Sequence, residues 1–231
     1  MTPRVDRVDA GVRHHARVSV WTIVVAAGSG ERFGGPKQLM ALGGRRVLDY
    51  ALAAAAETSD GVVVVVPADA DWDLGGAVRS VAGGATRSES VRCGLAAVPD
   101  ECDVVVVHDA ARPLADAALF RSVIDAVRAG ADAAVPGRAI ADTVKRVEGD
   151  VVVGTEPRES LVTVQTPQAF RASVLRAAHG AEPEGTDDAA VVEAIGGRVV
   201  VVGGPRDNLK ITEPEDLARA EALIRERELR A

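Results

Sequence analysis

The sequence has few cysteines, no excess of positive charge and no long apolar run, and each absence excludes a class of protein. Its two cysteines, Cys93 and Cys102, form no C-x-x-C motif and no Cys/His pairing, so zinc binding and dithiol redox chemistry are not indicated. The net charge of −7 argues against general nucleic-acid or acidic-membrane binding, which needs a basic face. No apolar run approaches the roughly 18 residues of a membrane span, and the N-terminus has no apolar signal region. We therefore expect a cytoplasmic protein.

Lysine is also scarce. Of 27 basic residues only Lys37, Lys145 and Lys210 are lysines, so the chain uses arginine by default. A site that needed only positive charge would be expected to contain arginine here. Lysine offers a compact ammonium with freely rotating donors, which the planar guanidinium does not reproduce. The lysines are therefore candidate functional residues.

Length and composition favour one domain with an N-terminal extension. The 231 residues are 47% hydrophobic, which is enough to bury a core. Residues 1–19 mix arginine and histidine with few apolar residues and are predicted to form a disordered arm. Residues 20–231 contain no repeat or low-complexity linker, so we expect a single α/β domain.

From residue 20 onward, short β-branched runs alternate with alanine-rich stretches. The predicted strands are Thr22–Ala26, Val62–Val66, Val78–Val81, Val104–Val107, Ala133–Pro136 and Val199–Val202. The predicted helices are Val47–Glu57, Ser88–Ala97, Asp116–Ala129, Arg171–Ala178, Asp188–Ile195 and Glu215–Leu229. Continuous apolar runs indicate strands buried on both faces of a mostly parallel sheet. The pattern therefore predicts a doubly wound α/β fold.

Residues 139–165 break this alternation. Strands are predicted at Thr143–Val147, Val151–Thr155 and Leu161–Val164, with a turn at 148–150. The strands are too close in sequence for a helical crossover between them. This segment is therefore predicted to be a projecting β-hairpin arm that packs against another subunit.

A glycine-rich loop with two cations, Arg32 and Lys37, follows the first predicted strand. Glycines let the backbone turn tightly and bring its N–H groups against phosphate oxygens. The spacing misses the dinucleotide pattern G-x-G-x-x-G by one residue, and Pro36 and Gln38 break the Walker A pattern. A polyphosphate loop of another type and a plain connecting turn both remain open. The loop glycines are Gly28, Gly30, Gly34 and Gly35.

Three further polar clusters follow predicted strands. They cover residues 83–90, 108–113 and 207–210. In an open α/β sheet, ligands bind beyond the carboxyl ends of the strands. We therefore expect the three clusters to lie near the glycine-rich loop.

Taken together, the ordered motifs resemble those of the 2-C-methyl-D-erythritol 4-phosphate cytidylyltransferase family over about residues 20–223. The motifs are AAGSGERFGGPKQ, GGATRSESV, VHDAARP, DTVKR, TEPR with QTPQ, TDDA, and DNLKIT followed by PEDL. The resemblance implies a Rossmann-like fold of the nucleotide-diphospho-sugar transferase type, with an arm that completes the partner's site in a homodimer. The implied reaction transfers CMP from CTP to the phosphate of methylerythritol phosphate and releases pyrophosphate, with Mg²⁺ bridging the triphosphate. No nucleic acid or membrane partner is implied.

The resemblance also assigns roles to individual residues. Arg32 and Lys37 are implied to stabilise the transition state. Lys210 of the same chain is implied to position the incoming phosphate together with Arg158 of the partner subunit. Asp109 is the expected carboxylate and contacts metal, ribose or polyol hydroxyls, with no choice among these from the sequence. The other implied substrate-binding residues are Ala26, Ala27 and Gly28 beside the nucleotide, Gly84 and Ser90 in the cytosine pocket, and Thr143 with Thr166 near the methylerythritol.

Several residues keep two interpretations. Arg112 either contacts ligand or pairs with a carboxylate at the strand end. Arg87 organises the Gly83–Gly84 turn, and His108 is a satisfied neighbour of the site rather than a general base. Asp187 and Asp188 form a helix N-cap. Lys145 is expected to lie on the surface of the arm or in a dimer contact rather than to act in catalysis.

The sequence is also compatible with other functions. A ribitol 5-phosphate cytidylyltransferase would share the nucleotide half of the site and differ in the polyol contacts. An enzyme that uses GTP or UTP would share the glycine loop. A regulatory module that binds a nucleotide without catalysis would keep binding when Lys37 or Lys210 is replaced.

Overall fold

The computed structural model describes residues 18–28, 30, 33–74, 79–181 and 185–230. Most of the predicted N-terminal arm and the first residue of the predicted strand Val78–Val81 lie outside these residues. The strands are β1 (Val20–Val25), β2 (Ala41–Leu42), β3 (Arg45–Arg46), β4 (Gly61–Val66), β5 (Arg79–Ala82), β6 (Val104–Asp109), β7 (Ala133–Ala139), β8 (Val144–Glu148), β9 (Val151–Glu156), β10 (Val162–Val164), β11 (Gln168–Arg171) and β12 (Val199–Gly203). The helices are α1 (Val47–Thr58), α2 (Arg87–Ala96), α3 (Ala117–Arg128), α4 (Ala172–His179), α5 (Asp188–Ala194) and α6 (Pro214–Arg230).

The main sheet follows the path β7-β11-β6-β1-β4-β5, and β7 also pairs with β12 and β10. The pairs β6–β1, β1–β4, β4–β5 and β7–β12 are parallel, whereas β10 and β11 run antiparallel to their neighbours. The predicted mostly parallel α/β fold is therefore confirmed. Its parallel strands end at one edge, where the predicted polar clusters follow them.

Helices cover both faces of this sheet. Alternate residues of β4 point to opposite faces: Val64 belongs to a core cluster with residues of α1 and α3, and Val65 belongs to a second cluster with residues of α2, α4 and α5. This alternation explains the uninterrupted valine run, because a strand buried on both faces needs apolar residues at every position. Helix α6 closes a smaller cluster around Leu42 and Ile211.

The predicted hairpin is present, but its third strand is not part of it. Strands β8 and β9 pair only with each other among the described strands, whereas β10 pairs with β7 in the main sheet. The prediction that Leu161–Val164 belongs to the arm is therefore wrong. Pairing with β7 gives its backbone groups partners in the main sheet, although its side chains stay exposed.

Strand β11 was not predicted from the sequence. It inserts between β6 and β7, and Phe170 pairs with Val105 on one side and Ala133 on the other. Its sequence Gln-Ala-Phe-Arg has no β-branched residue and only Phe170 favours a strand, so propensity gives little signal. Burial between two hydrophobic strands overrides the local preference.

Candidate active site

The glycine loop and the three polar clusters meet in one cavity at the carboxyl ends of the parallel strands. The cavity has a volume of about 630 Å³. Both Lys37 and Lys210 line it, although 172 residues separate them in sequence. The described lining residues are Val25, Ala26, Ala27, Gly28, Gly30, Lys37, Gln38, Gly84, Ala85, Thr86, Arg87, Ser90, Asp109, Ala110, Ala111 and Lys210.

The glycine loop closes on the carbonyl of Gly30. That oxygen accepts the backbone N–H groups of Phe33, Gly34 and Gly35 at 2.8, 2.9 and 3.3 Å. Gly30 has a φ of +71°, and a Cβ there would lie 1.9 Å from the Gly35 carbonyl oxygen, so no other residue fits. The tight turn leads directly to Lys37, which begins a single 3₁₀ turn over Lys37–Leu39.

Gln38 holds the start of the loop in place. Its side chain is buried, and its amide nitrogen donates to the backbone carbonyls of Ala26 and Gly28, the latter at 3.0 Å. Two loop carbonyls are thereby occupied by one side chain. Gln38 occupies the position of the hydroxyl residue in a Walker loop, and here its side chain instead binds the backbone of the loop.

The segment before α2 forms the opposite wall. A Cβ on Gly83 would lie 2.5 Å from the Cβ of Ala27, so glycine is needed where the two loops approach. The Ser90 hydroxyl accepts from the Gly84 N–H at 3.2 Å and donates to the Thr86 carbonyl at 2.9 Å. Ser90 therefore shapes this wall as well as lining the cavity.

Asp109, the last residue of β6, lies between two cations. Its Oδ2 accepts from Lys210 Nζ at 2.6 Å, and its Oδ1 lies 3.5 Å from Arg87 Nη2. Burial alone would raise the pKa of this carboxyl, but Lys210 and Arg87 outweigh burial and hold the pKa well below its usual range. Asp109 is therefore ionised at neutral pH.

Lys210 reaches the cavity because its neighbours are tied to the end of β6. Arg112 Nη1 donates to the Asn208 carbonyl at 2.8 Å, and the Ile211 N–H donates to the Ala111 carbonyl at 2.8 Å. The buried Asn208 amide donates to the Thr166 carbonyl at 2.9 Å. Arg112 thus contacts backbone and shows no carboxylate ion pair among the described residues, which differs from the ion-pair interpretation, whereas its contact with a ligand stays a prediction.

Thr166 is buried and contacts the backbone of Asp109. Its hydroxyl accepts the Asp109 N–H at 3.0 Å and lies 3.1 Å from His108 Nδ1. This geometry favours a structural role, whereas the sequence predicted a substrate contact. The Asp109 N–H would lose its partner if the hydroxyl were removed.

We expect Thr166→Val to lower the free energy of unfolding by about 1–3 kcal/mol, because a buried N–H loses its acceptor. Urea unfolding measures the effect, and Thr163→Val on the exposed β10 is the control. A raised KM for the polyol phosphate with unchanged stability would instead identify Thr166 as a substrate contact.

His108 is fully buried beside Phe120, with ring centroids 5.0 Å apart. Burial lowers its pKa to about 4.

Between about pH 4 and 6.5 the unfolded chain therefore binds a proton at His108 that the folded chain does not. We expect about 3 kcal/mol of stability to be lost as the pH falls through this range. Urea unfolding at pH 7 and pH 5 measures the effect, and the free energy of unfolding should fall less in His108→Gln than in the wild type. An equal fall in the two proteins would contradict this prediction.

Eight of the predicted site residues line the cavity, four described ones do not, and one lies outside the described part of the chain. Arg112, Thr143, Arg158 and Thr166 are not among the described lining residues, and Arg32 lies outside the described part of the chain. Arg158 is half-exposed and donates to the Ala141 carbonyl. The residues that line the cavity as predicted are Ala26, Ala27, Gly28, Lys37, Gly84, Ser90, Asp109 and Lys210.

Gln38 and Arg87 are lining residues that sequence reasoning did not include among the site residues. Both stand inside quoted motifs, beside Lys37 and Gly84, so their position in the motif was the available signal. Of the paired carboxylates, Asp187 caps α5 by accepting the Ala190 N–H at 2.9 Å. Asp188 instead binds Arg87 at 2.8 Å.

Two negative findings apply to the described residues. No group of three or more His, Cys, Asp or Glu side chains there could hold a metal ion. Likewise, none of the helices within the described ranges has the length and apolarity needed to span a bilayer.

A mostly parallel α/β sheet with a glycine loop and two lysines at its carboxyl edge is the arrangement of an α/β nucleotidyltransferase. The family model "IspD: 2-C-methyl-D-erythritol 4-phosphate cytidylyltransferase" matches residues 20–226. The chain belongs to this family, which confirms the resemblance read from the motifs.

Individual relatives agree with this assignment. The chain is 47% identical over 215 residues to the 2-C-methyl-D-erythritol 4-phosphate cytidylyltransferase of Frankia casuarinae, covering 89% of this chain and 81% of that protein. It is 45% identical to the bifunctional enzyme IspD/IspF of Solidesulfovibrio magneticus, covering 87% of this chain but only 56% of that protein. The chain thus spans little more than half the length of such bifunctional relatives.

A solved structure supports the fold. The crystal structure of 2-C-methyl-D-erythritol 4-phosphate cytidylyltransferase from Thermus thermophilus superposes with a TM-score of 0.77. The two chains are 37% identical, and the match covers 88% of this chain and 98% of that one.

Proposed function

We propose that the chain transfers CMP from CTP to the phosphate of 2-C-methyl-D-erythritol 4-phosphate and releases pyrophosphate. The observation that carries this proposal is the meeting of Lys37, Lys210 and Arg87 in one cavity of a protein with a net charge of −7. Three cations on separate elements suit two anionic ligands that repel each other. The relatives' names contain 2-C-methyl-D-erythritol 4-phosphate and cytidylyltransferase, which supports methylerythritol phosphate and CTP as these two anions.

In the proposed reaction, an oxygen of the methylerythritol phosphate attacks the α-phosphorus of CTP. The bond from that phosphorus to the bridging oxygen of the β-phosphate breaks, and pyrophosphate leaves. The nucleophile is already an anion, so no general base is required, in agreement with the buried and neutral His108. The protein's task is to hold both anions in line and to neutralise the charge that develops around the α-phosphorus.

The residues divide this task between the two ends of the cavity. The backbone around Gly28 and the Lys37 ammonium suit the triphosphate, because glycine-rich turns expose N–H groups and lysine adds a point charge. The Lys210 ammonium, fixed by Asp109 at 2.6 Å, suits the incoming phosphate. Arg32 remains a predicted second cation on the triphosphate.

We also propose that a magnesium ion arrives with the nucleotide and is held at this cavity. Asp109 is the one carboxylate among the described lining residues, and it is ionised. Magnesium is commonly held by one or two carboxylates together with substrate phosphates. When bound, Mg²⁺ would neutralise part of the triphosphate charge. Asp109 would be its protein ligand.

We also propose a homodimer in which the hairpin completes the partner's cavity. Thr143 and Arg158 flank the hairpin and are exposed, and they are absent from the described lining of their own chain's cavity. The hairpin also exposes large apolar side chains; Val151 is 66% and Val152 56% accessible. An exposed apolar patch of this kind is typical of a protein interface.

Mixing subunits tests this shared site. We expect Arg158→Ala and Lys37→Ala chains each to have little activity alone. When they are mixed and allowed to exchange, half of the dimers carry one intact site, so activity should rise to about a quarter of the wild-type level. An activity that never exceeds the average of the two variants would show that each site is built within one chain.

A pyrophosphate-release assay tests the substrate assignment. The chain is incubated with Mg²⁺, each of the four ribonucleoside triphosphates, and either methylerythritol phosphate or ribitol 5-phosphate. We expect the highest kcat/KM with CTP and methylerythritol phosphate. Faster turnover of ribitol 5-phosphate, or a preference for GTP or UTP, would overturn the proposal, and nucleotide binding without turnover would favour a regulatory module.

A further inference from the structure

Asp188 is a buried carboxylate that neither lines the cavity nor caps a helix. Its side chain is 1% exposed. Its Oδ2 accepts from Arg87 Nη1 at 2.8 Å, and its Oδ1 faces His179 Nε2 at 3.1 Å. Because Asp187 caps α5, the burial of a second charged group at this point needs another explanation.

Asp188 is the far end of a row of alternating charges that leads to the cavity. Arg87 lies between Asp188, at 2.8 Å, and Asp109, at 3.5 Å, and Asp109 holds Lys210 at 2.6 Å. Burial alone would lower the pKa of the Arg87 guanidinium, but the two carboxylates outweigh it and raise the pKa. Arg87 therefore remains a cation with two competing anionic partners.

The distances show which partner Arg87 favours. Its contact with Asp188 is short, whereas its contact with Asp109 is at the limit of a hydrogen bond. A guanidinium readily binds one carboxylate through two parallel bonds. Without Asp188, Asp109 would be the nearest carboxylate left to Arg87, and Lys210 would have to compete for it.

We propose that Asp188 is a positioning residue for Lys210: by holding Arg87, it leaves Asp109 to fix the Lys210 ammonium at the cavity. One expected consequence, a lower kcat/KM when Asp188 loses its charge, rests on the proposed function. The geometric consequence, a change at Lys210 when Asp188 loses its charge, does not.

The scarcity of lysine makes the geometric consequence measurable. Reductive methylation with ¹³C-formaldehyde labels only the N-terminal amine and three lysines, and Lys→Arg variants assign the signals. We expect Asp188→Asn to shift the Lys210 signal and to leave the Lys145 signal unchanged. Adding Arg87→Gln to Asp188→Asn should move the Lys210 signal back toward its wild-type position, since the guanidinium that competes for Asp109 is gone.

The kinetic consequence needs a neighbouring control. We expect Asp188→Asn to lower kcat/KM by about 10- to 100-fold, the scale for partners that orient an active-site group. Asp187→Asn makes the same chemical change at the preceding residue and should keep kcat/KM close to wild type, because asparagine is an equally good N-cap and the Gln168 amide, which donates to Asp187 Oδ2 at 2.8 Å, can turn its oxygen toward the new amide.

An unshifted Lys210 signal in folded Asp188→Asn, or equal kcat/KM in Asp187→Asn and Asp188→Asn, would overturn the proposal. If Asp188→Asn does not fold, Asp188→Glu takes its place, because it keeps the buried charge but moves the carboxylate that holds Arg87. A shifted Lys210 signal in it supports the proposal and an unshifted one overturns it. Absence of turnover in the wild type would refute the proposed function while the Lys210 signal still tests this inference.

Discussion

Replacing Lys37 with alanine is expected to lower kcat by on the order of 10²-fold or more, because a preorganised charge is lost from the transition state. Lys37 follows the tight Gly30 turn and lines the cavity on the side of the glycine loop. At this position its ammonium can meet the charge that develops on the phosphates as pyrophosphate leaves. Steady-state kinetics with saturating CTP and methylerythritol phosphate measure the effect.

A cation remote from the cavity provides the control for Lys37. Arg225→Ala removes an exposed charge on α6 that pairs with Glu221 at 2.8 Å, and it should leave kcat unchanged. Thermal unfolding of Lys37→Ala should match wild type, since Lys37 is not part of the core. An unchanged kcat would remove Lys37 from the catalytic role, and the same reasoning applies to the sequence-based prediction for Arg32→Ala.

Asp109→Asn is expected to lower kcat/KM by about 10²-fold or more, since one substitution weakens several contacts of the site. The carboxylate holds Lys210 at 2.6 Å and faces Arg87, and it is the proposed ligand of the magnesium ion. An amide keeps the shape but carries no charge. Lys210 would then lose the anion that fixes its ammonium, and the affinity for the metal–nucleotide complex should also fall.

Asp116→Asn is the matched control for Asp109→Asn. Asp116 caps α3 by accepting the Leu119 N–H at 2.9 Å, and asparagine caps a helix equally well. It should therefore keep wild-type kcat/KM. If Asp109→Asn also kept wild-type kcat/KM, the Lys210–Asp109 pair would have no part in the reaction, and the division of the cavity between two anions would be wrong.

The parallel core of the fold could be predicted from sequence, because valine runs such as Val104–Val107 indicate strands buried on both faces. The antiparallel insertion could not. Strand β11 has no β-branched residue, and β10 looks like a third hairpin strand until its pairing with β7 is known. In both cases tertiary packing determines which strands pair, and the local sequence pattern does not show this pairing.

The site could be predicted as a set of motifs, but not as a set of contacts. Lys37, Asp109 and Lys210 line the cavity as expected, because polar residues after parallel strands share one edge of the sheet. Thr166, Arg112 and Asp188 have partners distant in sequence, and these partners give them supporting contacts beside the cavity. A motif indicates that such residues lie near the site, but it does not show which group each of them contacts by a hydrogen bond or an ion pair.

The most direct test of the proposed reaction is ³¹P NMR of the products. The chain is incubated with CTP, Mg²⁺ and methylerythritol phosphate, and the spectrum is followed until CTP is consumed. We expect pyrophosphate together with two coupled diphosphate resonances, which show a new bond between the α-phosphorus and the polyol phosphate. Consumption of CTP to CMP and pyrophosphate with methylerythritol phosphate left intact, or no reaction at all, would contradict the account.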